Sequence, residues 1–443
     1  MASYIPQKAT DGLHPAGRNF LLAVRSKFIP LLPYLPLVLI FCFVLFMPSP
    51  RLGSGLSKMQ LQEMGDVNKR IIFSVAFLIA GLGLLKRRGA FSHFLSENKI
   101  LVILVVYSLL TVLWASSPTV AFKRWVQFAG FLAVIWCALL PPDSPKKILL
   151  ILRSLFSVAV LYSAFVSIFL PEISVDLATG AWRGIFSHKN ILGQVTAISL
   201  ILWLPALSDS QTLRSKFWGL INVIAAFALL LKSDSKTALV IILFIFSWWA
   251  ILKFPFRREI KMLLVPLPLF LFLFWVINLQ SAGFDEMVFS SLQRDNSFTG
   301  RTVLWQTFIQ NIGEHSFIGT GYNSFWISTN ENAHRLIQQL GWDPGQAHNG
   351  YLDVLNELGI VGGIIFLIFI LQTLYRTRRY QLINKELGAV FFFIILSQLF
   401  YNYLETSFCR SSSLGWLIVL VAAIVSSHRP IAAEKPGEPQ AVE

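Results

Sequence analysis

Cysteine is nearly missing from this chain. Three occur in 443 residues (Cys42, Cys137 and Cys409), with no CxxC pair and no Cys/His ligand spacing. That excludes a disulfide framework and a zinc site. Charge is scarce as well: Asp, Glu, Lys and Arg make up 14% of the chain, where a soluble protein carries roughly a quarter. No DxD-type acidic motif stands out, so nothing indicates a required divalent metal, and no cofactor is expected. No clear internal repeat is visible, which weighs against an inverted-repeat transporter. The first 28 residues are polar and basic, and they lack the apolar core and small-residue cleavage site of a signal peptide.

Apolar sequence fills the space that charge leaves. Hydrophobic residues are 55% of the chain, and mean hydropathy is +0.63. Runs long enough to cross a bilayer as a helix, about 17–25 residues, recur from end to end. Stretches such as IILFIFSWWAIL and LIVLVAAIV are continuously apolar and do not alternate as barrel strands do. The expected fold is therefore all-α, a polytopic membrane protein of about 12 transmembrane helices. Residues 1–28 read as a cytoplasmic tail, 29–280 as helices one to nine, and 281–351 as one large, partly helical periplasmic loop. Residues 352–427 read as the last three helices, and 428–443 as a second cytoplasmic tail.

Charge sets the expected orientation. With both termini inside, nearly all of the net +14 falls on cytoplasmic segments, including Lys86-Arg87-Arg88, Lys146-Lys147, Arg257-Arg258 and Arg376-Arg378-Arg379. That is the pattern the positive-inside rule expects. These clusters sit on short loops between spans and act as topology signals, so nucleic acid is not an expected partner. The opposite, exported side then gathers TGAWRGIFSHKNILGQ, KSDSKTAL, the 281–351 loop and NYLETSFCRSSS.

The long loop is patterned. Leu304, Phe308 and Ile312 recur at helical spacing, as do Ala333, Leu336, Ile337 and Leu340, with Gly341 as a helix stop. The loop ends on AHNGYLDVLNELGIVGG, where His348, Leu352, Leu355 and Gly359 share one face of a starting helix. Gly359, Gly362 and Gly363 are expected to admit a neighbouring helix closely. Ionisable groups kept at a membrane boundary are usually used. A neutral histidine could take a proton from an attacking hydroxyl, although a lone histidine at a helix start more often only caps it. His188 and His315 have no comparable context.

The exported cations are Arg183, Lys189, Lys236, Arg301 and Arg410. Any one of them could be a headgroup anchor, but several on separate segments could converge on phosphate, which the guanidinium fork suits. Asp353 and Glu357 lie one turn apart and could orient His348 or an acceptor, although like charges at that spacing repel. Glu405 stands as a lone carboxylate. Trp182, Trp305, Tyr322, Phe325, Trp326, Trp342 and Tyr351 suit either a membrane interface or a sugar face.

These residues resemble the bacterial O-antigen ligase and Wzy-type polysaccharide polymerase superfamily. The ligase-type signature is His, then Asn/Ser/Gln, nine residues, Gly, two residues, then Gly/Thr/Tyr, and it is met by His348, Asn349, Gly359 and Gly362. WRGIFSHKNILGQ, TGRTVLW and GTGYNSFW are similar to the exopolysaccharide, succinoglycan-type polymerase branch. The resemblance implies a GT-C-like helical fold and metal-independent glycosyl transfer from a polyprenyl-pyrophosphate donor. It implies that Arg183 and Arg301 hold the pyrophosphate and that His348 serves as base or positions the acceptor. Lys236 departs from the pattern, because many relatives carry Arg there; it keeps the charge and loses the fork. Asn349, Lys189, Asp353 and Tyr322 are the supporting candidates. The implied partners are a lipid-linked oligosaccharide donor and acceptor, membrane lipids, and export or chain-length proteins. A polymerase is the first expectation, a ligase acting on lipid A core or protein the second, and a solute transporter or a non-catalytic scaffold the rivals.

Overall fold

The computed structural model describes residues 29–47, 59–60, 63, 65–85, 89–176, 179–209, 212–271, 297–312 and 317–428. Both expected tails fall outside it, apart from His428. So do 272–296, which take in nearly half of the expected 262–280 span, and 313–316 with His315.

The described chain is a helix bundle, as the continuous apolar runs require. In chain order the helices are α1 (Leu35–Phe46), α2 (Val67–Leu85), α3 (Gly89–Glu97), α4 (Lys99–Leu110), α5 (Pro118–Ala138) and α6 (Ser144–Phe169). They continue as α7 (Lys189–Asp209), α8 (Leu213–Lys232), α9 (Lys236–Lys253), α10 (Arg258–Leu264), α11 (Ser297–Ile312) and α12 (Glu331–Leu340). The last are α13 (Gly350–Tyr380), α14 (Lys385–Leu404) and α15 (Leu414–Ser427). Eight of them (α2, α5, α6, α7, α8, α9, α13 and α14) are long and apolar enough to cross a membrane. The expected span near 100–116 is the second arm of a pair bent by 94°, Phe91–Glu97 followed by Lys99–Trp114. The expected first and last spans are shorter apolar helices, Pro30–Phe46 and Leu414–Ser427.

α15 is the centre of the bundle. All of its residues are buried, which suits a helix that is apolar on every side. Its Trp416 lies among Phe128 of α5, Phe366 and Phe369 of α13, and Phe408. α13 and α14 pack on it and on each other, and α7 packs between α14, α8 and α6.

The long loop builds a second core on one end of the bundle. Leu304 and Phe308 of α11 meet Phe325, Trp326, Ala347, and Ala333 and Leu336 of α12, all buried. Phe308 stacks on Trp326 at 5.7 Å. Asn330 caps α12, and Gly341 ends it with φ +75°, as the pattern predicts.

Gly359 departs from the expected role. It interrupts α13 at φ +68° and ψ −174°, a conformation that favours glycine. The break leaves carbonyls without helical partners, and the segment after α11 docks on them. Thr320 N donates to Asn356 O at 2.9 Å and Gly321 N to Glu357 O at 3.0 Å. Tyr107 Oη donates to Leu358 O at 3.0 Å. What approaches closely at Gly359 is a loop backbone, not a helix.

Candidate active site around Glu405

Glu405 follows α14, in a turn held by Asn402. Asn402 Oδ1 accepts from Ser407 N and Phe408 N, both at 2.8 Å, and its Nδ2 donates to Ser407 Oγ at 2.7 Å. The Glu405 carbonyl accepts from Gly350 N at 3.2 Å, so the turn is stitched to the start of α13. Its side chain, 9% exposed, collects three elements. Asn190 of α7 donates to Oε1 at 2.9 Å. Arg301 of α11 pairs with the same oxygen at 3.0 Å. His348 Nδ1 lies 3.2 Å from Oε2.

Burial alone would push the Glu405 carboxyl up. The His348 hydrogen bond and the charges of Arg301, His348 and His188 outweigh it and hold the group below the usual carboxylate range. An ionised carboxylate only accepts, so the proton on this face of the imidazole belongs to Nδ1. When the ring is neutral, Nε2 carries the lone pair. A carboxylate in this position can fix the tautomer and orientation of a histidine.

His348 reaches that position through a strained backbone. Its φ is +50°, rare for a residue with a side chain. Fixed neighbours flank it. Ala347 N donates to Asp353 Oδ2 at 3.2 Å, and Ala347 O accepts from Trp305 Nε1 at 2.9 Å. On the other side Asn349 caps α13, its Oδ1 accepting from Tyr351 N and Leu352 N.

The α7 terminus draws in the other segments expected on the exported side. His188, Lys189 and Asn190 are consecutive, and Lys189 Nζ pairs with Asp234 Oδ2 at 3.2 Å. A Cβ on Gly193 would stand 2.6 Å from Ser235 Oγ, so α7 and α9 touch where they begin. Lys236 occupies the exposed first turn of α9, where the helix end is itself positive. Partial desolvation lowers the His188 imidazole against the raising effect of Glu405.

Arg183 lies six residues upstream, beyond a single antiparallel bridge between Val175 and Trp182. Its Nη2 donates to Ile173 O at 3.4 Å, and its Nε is buried without a hydrogen-bond partner among the described residues. The structure therefore brings His348, Arg301 and Asn190 together at Glu405, leaves Asn349 as the cap of α13 beside His348, and ties Lys189 and the start of α9 to the same end.

Asp353 and Glu357 do not face each other uncompensated. Arg410 pairs with Asp353 Oδ1 at 2.9 Å and with Glu357 Oε1 at 3.2 Å, and donates to Asn323 Oδ1 at 2.9 Å. Burial works against the Arg410 charge, but the two carboxylates outweigh it and hold the guanidinium more firmly protonated than usual. Arg410 is thus engaged in a buried network rather than at the Glu405 cluster. Asp353 also accepts from Trp326 Nε1 at 2.8 Å and from Thr406 Oγ1 at 2.6 Å. Tyr322 sits in the core, fully buried, stacked on Phe128 at 5.8 Å. Burial also pushes up the Cys409 thiol in the neighbouring turn, which suits an inert core residue.

Sequence reasoning sees Glu405 only as an isolated carboxylate, and it passes over Asn190. Their partners lie 57 and 215 residues away, and no local spacing reports such pairs. Among the described residues, no three His, Cys, Asp or Glu side chains converge as a metal site.

A model of the O-antigen ligase family matches residues 220–367, a stretch that contains Arg301, His348 and Gly359 but neither Arg183 nor Glu405. The chain is also similar to the exopolysaccharide production protein ExoQ of Rhizobium meliloti (strain 1021). The two are 23% identical over 292 residues, covering 63% of this chain and 65% of the relative. The match thus spans slightly less than two thirds of that relative's length. Together with the His348–Gly359–Gly362 signature, these matches make the chain similar, over part of its length, to the O-antigen ligase family and to a protein of exopolysaccharide production.

Proposed function

We propose that the chain is a glycosyltransferase of the bacterial inner membrane that polymerises a lipid-linked glycan on the periplasmic side. It moves the growing glycan from polyprenyl pyrophosphate to a sugar hydroxyl of the next lipid-linked repeat unit. The observation that carries the reading is the buried Glu405 carboxylate, with His348 on one oxygen and Arg301 on the other.

His348 Nε2 takes the proton of the acceptor hydroxyl as its oxygen attacks the anomeric carbon. Glu405 holds the ring by Nδ1 and stabilises the imidazolium that forms. The bond from the anomeric carbon to the pyrophosphate oxygen breaks, and its electron pair leaves with the lipid pyrophosphate. Arg183, Arg301, Lys236 and Lys189 are the cations that would meet that charge, and fixed cations in a water-poor site are effective there. The His348 proton then passes to the departing phosphate or to water. No cofactor enters this scheme. The ExoQ similarity favours polymer growth, and the signs of the loop charges favour the periplasmic side.

The test is turnover of a lipid-pyrophosphate glycan by purified protein in EDTA. Wild type should extend it, while His348→Ala and Glu405→Ala should each fall on the order of 100-fold or more in kcat. Full activity in both variants, or abolition by EDTA in the wild type, overturns the reading. A second reading, transfer of finished glycan to lipid A core or protein, is favoured by the family that residues 220–367 match. A deletion strain separates the two. Loss of polymer with single repeats retained marks a polymerase, and accumulation of long lipid-linked polymer marks a ligase.

A further inference from the structure

One oxygen of Asp353 holds both sides of the His348–Glu405 pair. Oδ2 accepts from the main chain of Ala347, the residue before the histidine, at 3.2 Å. It also accepts from Oγ1 of Thr406, the residue after the glutamate, at 2.6 Å. The chain positions it joins belong to different elements, 57 residues or more apart. Its other oxygen, Oδ1, accepts from Trp326 Nε1 at 2.8 Å and pairs with Arg410 at 2.9 Å.

We propose that Asp353 is a positioning residue for glycosyl transfer, setting the distance between His348 Nδ1 and Glu405 Oε2 by clamping Ala347 and Thr406 on one carboxylate oxygen. The inference rests on the transfer reading above. The need for such a clamp comes from the backbone. His348 stands at φ +50°, and an outlier of this kind persists only when its surroundings over-determine it. Ala347 is held at its nitrogen by Asp353 and at its carbonyl by Trp305. Asn349 is held as the cap of α13. With both neighbours fixed, the Cα–Cβ bond of the left-handed residue between them is fixed too, and from there its ring reaches Glu405. The glutamate is held in turn through Thr406 and through Gly350 N on its carbonyl. A carboxylate suits the task because one oxygen can accept two donors while the other takes a cation and an indole N–H.

Two substitutions divide this role from mere stability. Thr406→Val and Trp326→Phe each remove one hydrogen bond to Asp353, and each keeps most of the side-chain shape. Only the Thr406 bond holds the glutamate's chain. In lipid-pyrophosphate glycan turnover, Thr406→Val should lower kcat roughly 10–100-fold with KM unchanged. Thr406→Ser should restore it, and Trp326→Phe should leave kcat within about twofold while lowering the melting temperature. Equal losses in Thr406→Val and Trp326→Phe, or no rescue by serine, overturn the proposal.

A second measurement does not depend on turnover: the rate at which diethyl pyrocarbonate modifies His348, read by peptide mass. Thr406→Val should raise that rate by freeing the ring from Glu405, and Trp326→Phe should not. An unchanged rate in Thr406→Val overturns the clamp even if transfer is established. A wild type that turns over no lipid-linked glycan overturns the transfer reading instead, and the modification rates still decide whether Asp353 positions His348.

Discussion

Gly319 and Gly359 stand so close that a Cβ on either would lie 2.5 Å from the backbone nitrogen of the other. Both have positive φ, +79° and +68°. One lies in the loop after α11, and the other breaks α13. Alanine at either position meets backbone rather than a side chain that can move aside. Its conformation alone costs about 1–3 kcal/mol. Gly319→Ala and Gly359→Ala should each lower the melting temperature sharply in detergent. Gly81→Ala, whose Cβ would meet nothing within 4 Å, should leave it unchanged.

Arg410 pairs with two carboxylates, Asp353 at 1% and Glu357 at 3% side-chain exposure. Removing it takes this ion-pair partner from both. Breaking a buried pair in this way costs about 3–5 kcal/mol, far more than the pair is worth when intact. Arg410→Ala should therefore fail to fold or melt many degrees lower. Glu386→Gln makes the useful comparison. Glu386 is 30% exposed, and its partner Arg153 keeps two bonds to Leu202 O and a contact with the Trp203 ring. That variant should lose clearly less stability, by thermal melts in the same detergent.

The contrast between these positions explains how far the sequence could be read. Length and apolarity locate the spans, because a bilayer sets both. The stripes Leu304–Phe308 and Ala333–Leu336 locate the loop helices, because a 3.6-residue period reports which face is buried. His348 and Arg301 stand out by type and position. Gly359 is visible as a glycine, but helical spacing through 348–359 cannot register that the helix breaks there. Glu405, Asn190 and Arg410 matter through partners contributed by distant elements, and tertiary packing alone brings those together.

Glu405 and His188 give acid sensitivity of one sign. Glu405 is held below its ordinary value of 4.5 in the folded protein, so its stabilising contribution is complete above that value. It is lost as pH falls through the lower folded value, because the unfolded chain binds the proton first. His188 is held below its ordinary 6.5, and for the same reason it costs stability once pH drops beneath 6.5. Melting temperature should fall in two stages on acidification, the first below 6.5 and the second below 4.5. His188→Gln should remove the first stage and Glu405→Gln the second. A profile that Glu405→Gln leaves unaltered would contradict the pairing of Glu405 with His348 and Arg301.

Arg301 and Glu405 should behave in turnover as one unit. Their pair spans 3.0 Å, with the side chains 15% and 9% exposed, so neither is well screened by water. Arg301→Ala leaves Glu405 with His348 and Asn190 alone, and Glu405→Gln leaves Arg301 without its counter-charge and His348 without its carboxylate. Each single change should cost activity, and the double variant should cost less than the sum. The coupling expected for residues in one network is about 0.5–3 kcal/mol. Arg301→Lys keeps the charge but loses the planar fork, which under the proposed transfer serves Glu405 and a pyrophosphate at once, so it should not restore wild-type kcat. Strict additivity in kcat/KM across this cycle would mean that the ion pair holds α11 in place and takes no part in transfer.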